Sequence, residues 1–160
     1  MPSKKLSSAD NQQERFNFAN WIVGFVDGEG CFTVSFFSHP KSRLRLKWQV
    51  FPEFVITQGI KSQATLEKIK DFLGCGKIYL NKRRDNHHEH LVKFVVRDRN
   101  DLLTKILPFF EENQLRTAKI NDFAIFAKII KMMQKGNHLQ EKGLAKIRLL
   151  VQKMNNRKFR

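Results

Sequence analysis

Two hydrophobic periods alternate along the chain. From Phe16 to Val26 the apolar positions recur at helical spacing, and the run passes directly into Asp27-Gly28-Glu29-Gly30. Period two then takes over. Phe32, Val34 and Phe36 alternate with Thr33, Ser35 and Phe37, which predicts a half-buried strand ending near His39-Pro40. A basic turn, K-S-R-L-R, leads to a second alternating run. Leu46, Trp48, Val50, Phe54 and Ile56 share one face of it, and Arg45, Lys47, Gln49, Phe51, Glu53, Val55 and Thr57 share the other. Pro52 interrupts that run and predicts a bulge or an edge position. Ser62 reads as a helix N-cap, with Leu66, Ile69, Phe72 and Leu73 as the apolar stripe and Gly74 as the stop. A second strand pair follows, Lys77 to Leu80 and Leu91 to Arg97, around the polar loop N-K-R-R-D-N-H-H-E-H. Three further helices are predicted: from Asp101 to Phe110 with Pro108 as kink or end, from Thr117 to about Gln134, and from about Gln140 to Asn155.

The order is α-ββ-α-ββ-α-α-α. Two hairpins, each preceded by a helix, predict an α+β fold with one mixed four-stranded sheet. Helices cover one face, and the other stays polar and basic. Residues 1–15 read as a frayed polar segment, 16–156 as one domain and 157–160 as a basic tail.

Composition narrows the partners. Lys and Arg number 30 against 15 Asp and Glu, a net charge of +15, while 41% of residues are hydrophobic. That describes a folded protein whose field attracts polyanions. No apolar run approaches the length that spans a bilayer, and the start lacks the apolar core of a signal peptide. Cys31 and Cys75 carry no metal-ligand spacing and are expected to stay reduced. The heavy use of Phe, 15 residues, together with Ile, Lys and Asn, points to an AT-rich coding genome such as an organelle's.

The outward positions of the two hairpins mix cations with amide, hydroxyl and aromatic groups. Thr33, Ser35, Phe37, His39, Arg43, Arg45, Lys47, Gln49, Phe51 and Glu53 come from the first hairpin. Lys77, Tyr79, Asn81, Arg83, Arg84, Lys93 and Arg97 come from the second, and Lys119 lies near the cap of the long helix. Cations bind phosphates, and Gln, Asn and Arg can read base edges in a major groove wide enough for a β-ribbon. The alternative is a solvated surface. His87, His88 and His90 lack the helical spacing of a typical zinc site and fit a basic hairpin tip better.

The chemistry-bearing candidates sit at Asn20 to Gly30. Asn20, Gly24 and Gly28 fall four residues apart on one helix side, where small residues admit another backbone. Asp27 and Glu29 end that helix. One reading is a capped core helix followed by a turn. The other is a carboxylate and neighbouring carbonyls holding Mg²⁺ for phosphodiester hydrolysis, with two copies crossing at the glycines to place two acids on a two-fold axis. Gln58, Lys61 and Ser62 follow the second strand, whose end lies near Glu29 if the pair is antiparallel. Ordinary strand-end polarity explains them equally well. Arg116 and Lys119 could bring positive charge to a phosphate.

W-I-V-G-F-V-D-G-E-G resembles the motif of LAGLIDADG homing endonucleases, and C-F-T-V-S-F resembles the strand that follows it. F-V-I-T-Q, L-P-F-F, L-R-T-A-K-I-N-D-F, G-L-A-K-I and M-N-N-R extend the likeness over roughly residues 17–156. The resemblance implies an αββαββα fold with extra C-terminal helices, and a saddle-shaped sheet on the DNA major groove. It also implies, for a single-motif chain, a homodimer joined through Asn20, Gly24, Asp27 and Gly28. Glu29 and the Gly28 carbonyl would hold Mg²⁺, with two or three ions at the dimer axis. Asp27 would be mainly structural, and Gln58, Lys61 and Arg116 would complete the catalytic pocket. Glu stands at 29 where many single-motif members carry Asp. The implied activity is double-strand cleavage of a long, near-palindromic site by an organelle-encoded enzyme. An intron RNA maturase, or another non-catalytic nucleic-acid binder on the same fold, is the alternative.

Overall fold

The computed structural model describes residues 8–41, 43, 45–82 and 89–154. Helix α1 (Ser8–Glu29) leads into strand β1 (Gly30–Ser38), which turns into β2 (Trp48–Gly59). A 3₁₀ turn, Ile60–Ser62, opens α2 (Gln63–Leu73). Strands β3 (Lys77–Asn81) and β4 (Leu91–Val96) form the second hairpin. The remaining helices are α3 (Arg99–Asp101), α4 (Leu107–Glu112), α5 (Lys119–Gln134) and α6 (Glu141–Val151). The predicted element order holds throughout.

The sheet has the order β1-β2-β4-β3. All three neighbouring pairs are antiparallel, so the sheet is not mixed. The reason is topological. The α2 crossover does return the chain so that β3 runs parallel to β2, but β4 inserts between them and pairs with both. Pro52 produces no bulge: the β1–β2 register runs unbroken through Val34 and Pro52. It lies before Phe54, where pairing with β4 begins, and so occupies a locally free edge that needs no N–H.

Helices pack on the face formed by Phe32, Val34, Val50, Phe54, Ile56, Val92, Phe94 and Val96. Phe32 is the hub. Its ring stacks on Phe54 at 5.1 Å, meets Phe110 edge-on at 5.5 Å, and lies 5.3 Å from both Phe123 and Phe126. Much of the unusual phenylalanine content therefore builds one core rather than a surface.

Three local differences from the sequence pattern have physical causes. Helix α1 starts at Ser8, not Phe16. Its first turns are wholly exposed and show no apolar stripe to read, but Gln12, Gln13, Glu14 and Arg15 are good helix formers and Asp10 suits the N-terminus. Asp98, not Asp101, starts the helical run after β4, its carboxylate accepting the Asp101 N–H at 2.9 Å. That run widens into a π segment, Leu102–Ile106, just before Pro108, where the ring would crowd the carbonyl four residues back. The two cysteines are not joined in a disulfide, and burial, with Asp101 adding, pushes the Cys75 thiol up to about 11.

Beside the buried Leu144, Ile147 and Val151, helix α6 sends one cation over two rings of the first hairpin. The Arg148 guanidinium lies 4.5 Å from the Phe36 ring and 4.3 Å from the Trp48 ring. Trp48, on the predicted core side of β2, is thus covered by a cation rather than by an apolar residue. Arg148→Ala is expected to cost about 1–2 kcal/mol and to shift Trp48 emission. Urea unfolding followed by fluorescence in a Trp21→Phe background measures both.

Candidate active site

The motif glycines divide into two kinds. A Cβ on Gly30 would fall 2.5 Å from Val26 Cγ1 and 2.9 Å from the Val26 carbonyl oxygen. Only glycine admits so tight a passage from α1 into β1. At Gly24 and Gly28 a Cβ would meet nothing within 4 Å. Both are exposed, as is Asn20 on the same side. An open groove runs along this side, walled by Phe16, Asn20, Val23, Gly24 and Asp27 of α1 and by the segment 112–116. Nothing in the described chain requires glycine at 24 or 28.

Asp27 and Glu29 also differ. Helix α1 continues through both, so the acids occupy its last turn rather than a following loop. Asp27 Oδ2 accepts the Arg116 N–H at 2.8 Å. Its Oδ1 accepts the Thr117 hydroxyl at 2.7 Å and the Thr117 N–H at 3.2 Å. Partial burial pushes its pKa up, but these hydrogen bonds and the Lys119 charge outweigh it and hold the group below the usual aspartate value. Asp27 is therefore the tie between α1 and the start of α5. Glu29, one residue from the strand, is exposed.

The depressed pKa fixes the sign of a pH effect. Asp27 contributes its stabilisation fully above the ordinary value of 3.8 and loses it as the pH falls through the lower folded value. Asp27→Ala is expected to cost about 1–2 kcal/mol at neutral pH, because it removes the charged acceptor of three hydrogen bonds from the 116–117 turn, whose donors water can reach. It is also expected to flatten the acid limb of stability. Thermal melts from pH 7 to pH 2 test both expectations.

Lys119 completes the junction. Its half-buried ammonium donates to the Val26 carbonyl at 2.8 Å and, at shorter range, to the Gly30 carbonyl. It thus stands at the acid tip, its ammonium turned onto main-chain carbonyls of the α1–β1 junction. Arg116 meets Asp27 through its main chain, and its residue is exposed. Gly30, the first residue of β1, pairs with Ile56, and Gln58 lies two residues farther along β2, opposite Val92 of β4. Lys61 follows in the 3₁₀ turn, exposed, its N–H donating to Glu89 at 3.2 Å. The fold thereby gathers Gly28, Glu29, Gln58, Arg116 and Lys119 at one end of the sheet, with Lys61 in the adjoining turn. Two partners escaped the sequence reading: Glu89, whose carboxylate a Cβ on Gly59 would strike at 2.6 Å, and Thr117 as the Asp27 donor. Separations of 28 to 90 residues leave no local pattern to find them.

The chemistry of the tip suits a divalent cation. A helix C-terminus carries partial negative charge, and Glu29 adds a full one. Among the described residues no three metal-ligating side chains come together. Mg²⁺ seldom needs such a cage, being held by one or two carboxylates plus substrate phosphates.

The outward sheet face carries Thr33, Ser35, Phe37, Gln49, Phe51 and Glu53 from the first hairpin. It continues through Lys93 of β4 and Lys77, Tyr79 and Asn81 of β3, with Arg97 just past β4. Arg97 pairs with Glu53 and lies 5.5 Å over the Tyr79 ring. Arg45 and Lys47 are not strand residues as the alternation suggested: β2 begins at Trp48, and Lys47 takes a left-handed φ of 55° that ends the turn. His39, whose N–H donates to the Lys47 carbonyl at 2.8 Å, and Arg43 lie in the same connection. Arg83, Arg84, His87 and His88 lie outside the described residues. Among the described residues no helix is long and apolar enough to cross a membrane.

A model of the LAGLIDADG endonuclease family matches residues 22–130. A Mycosarcoma maydis protein named "probable intron-encoded DNA endonuclease 1" is 30% identical over 125 residues, covering 78% of this chain and 42% of its own. The crystal structure of the homing endonuclease I-TnaI is 36% identical, with a TM-score of 0.76 over 88% of this chain and 89% of its own. That of the LAGLIDADG homing endonuclease I-LtrWI, bound to target DNA, is 31% identical, with a TM-score of 0.78 over 99% of this chain and 47% of its own. The chain spans less than half the length of the M. maydis and I-LtrWI relatives. The matched span includes Glu29, Gln58 and Arg116, so the α1 tip and the sheet around it are those of a LAGLIDADG endonuclease, the family to which this chain belongs.

Proposed function

We propose that the chain is a site-specific DNA endonuclease, encoded within an organellar intron, that works as a pair of copies and hydrolyses one phosphodiester per copy. The observation that carries this reading is the last turn of α1, where an exposed carboxylate adjoins a helix side whose glycines the chain itself does not need. Two such sides brought together put two Glu29 groups beside one another, one for each strand of a duplex. The Mycosarcoma maydis relative is described as intron-encoded, and I-LtrWI is bound to target DNA. A Schizosaccharomyces pombe relative, 30% identical over 136 residues, carries the name "probable intron-encoded endonuclease Cox1-I1b".

Glu29 and the Gly28 carbonyl would hold Mg²⁺, which when bound polarises the phosphate and lowers the pKa of an attacking water. The chain's own groups do the rest. Asp27 and Lys119 fix the helix tip against β1 and α5, so that Glu29 projects from a rigid junction. Gln58, two residues beyond the Ile56 that pairs with Gly30, would orient water. Arg116 and Lys61 supply positive charge beside a phosphate whose negative charge grows during reaction. The outward sheet face seats the duplex, with its cations on phosphates and its amides, hydroxyls and rings at base edges.

Selection from randomised duplex DNA, followed by incubation of the selected duplex with Mg²⁺ or EDTA, tests the proposal. Cleavage of both strands at one place, dependent on Mg²⁺, is the expected result. Selective binding that never yields a nick in Mg²⁺ overturns the enzymatic reading, and preferential retention of intron RNA over every duplex favours the maturase.

A further inference from the structure

Near Gly30 the outward face of β1 and β2 carries the half-buried pair Cys31 and Val55, and farther out it bears two large exposed rings among polar neighbours. Ser35 stands opposite Phe51, and Phe37 opposite Gln49, which makes the two phenylalanines diagonal neighbours. Their rings meet edge to face at 5.2 Å, and they remain 55% and 36% exposed. They wall a shallow concavity whose other sides are Ser35, Ser38, His39, Gln49, Glu53 and Arg97. The Arg97 guanidinium neutralises Glu53 there, so the concavity offers two bare rings beside an amide, an imidazole and two hydroxyls, with no uncompensated negative charge. Two large apolar rings left in water among polar neighbours need a mixed partner, apolar at points and hydrogen-bonding between them.

We propose that Phe37 and Phe51 form an apolar reading surface for thymine C5-methyl groups in the major groove, which makes them specificity-determining residues of the DNA site. The inference rests on the endonuclease reading above and adds the identity of bases at defined positions. Among the groups on major-groove edges, the thymine methyl is the apolar one, and phenylalanine is a side chain that contacts it. Gln49 and Ser35 beside the rings supply the hydrogen bonds that neighbouring bases need. Position follows from the strand. With about 3.3 Å per residue, Ser35 and Phe37 lie roughly 17 and 23 Å along β1 from Gly30. At 3.4 Å per base pair, that is about five to seven pairs outward from the Glu29 end. The reading surface therefore serves the outer part of each half-site and does not touch the reacting phosphate.

The test uses the full chain and the duplex selected from randomised DNA, with each thymine replaced singly by uracil, which lacks only the methyl. Affinity is expected to fall about fourfold per methyl at one or two outer positions of each half-site, with no loss at other thymines. In Phe37→Ala/Phe51→Ala the uracil penalty at those positions is expected to vanish. Both rings sit on the open face, so melting should show the variant folded. If it does not, Phe37→Ser alone carries the same comparison. Uracil substitution without effect at every outer position overturns the proposal, as does a penalty undiminished in the variants. In either case wild-type selection and cleavage stand, so the endonuclease reading survives. A wild type that selects no duplex at all overturns both.

Discussion

Glu29→Gln is expected to bind the selected duplex within about threefold of wild type while cutting it at least about a thousandfold more slowly. The substitution keeps the shape of the side chain and removes one negative charge. Glu29 is exposed and holds no element in place, so stability is expected to stay within about 0.5 kcal/mol of wild type. Binding should not weaken either, because a carboxylate next to a phosphate repels it when no cation intervenes. What is lost is the ligand of that cation. Its stabilisation of the transition state is worth several kcal/mol, and each 1.36 kcal/mol is tenfold in rate, hence the thousandfold figure. Single-turnover cleavage at saturating enzyme separates the chemical step from binding, and a Mg²⁺ titration shows whether higher metal restores the rate. A variant that cuts within tenfold of wild type would falsify the placement of the metal at Glu29. Its contrast with Asp27→Ala is informative. Two acids, one glycine apart, are expected to fail in opposite ways, one in chemistry with the fold intact and the other in the fold itself.

That distinction marks how far the sequence could be read. The apolar stripe of α1, the alternation in β1 and the turn residue Gly74 were visible because each depends on neighbours a few positions away. The motif placed Glu29 at a helix end for the same reason. The work of Asp27 was not visible, since its donors lie 89 and 90 residues on. Nor was the place of Lys119. As a basic residue near a helix start it resembled many others, and only the folded chain turns its ammonium onto the carbonyls of Val26 and Gly30. The antiparallel sheet shows the same limit: hairpin strands pair locally, but which strand lies beside β2 depends on where β4 inserts. At Lys47 the alternation misled, because a basic residue next to a strand looks like an outward strand position until its left-handed φ is seen.

Gly24→Leu carries the second large effect, and the effect should appear only when two copies meet. Within one chain nothing lies within 4 Å of a Cβ at Gly24, and the position opens onto a groove with room for a larger side chain. Replacing glycine inside a helix removes a penalty of roughly 0.5–1 kcal/mol, and the melting temperature is expected to hold or rise. Between copies the outcome reverses. A leucine projects several atoms into the space that close helix approach requires, at the centre of the exposed side shared by Asn20, Gly24 and Gly28. The paired complex on the selected duplex should be lost, leaving one copy per half-site in sedimentation. Double-strand cleavage should fall at least about a hundredfold, on the order of the 2.7 kcal/mol that a clash of this size imposes. Gly30→Ala supplies the opposite signature from the same motif. Its Cβ strikes Val26 Cγ1 at 2.5 Å, so that chain should lose about 1–3 kcal/mol of stability before any question of pairing arises. A Gly24→Leu chain that still pairs on DNA and cuts both strands like wild type would show that the open side of α1 is not where copies meet.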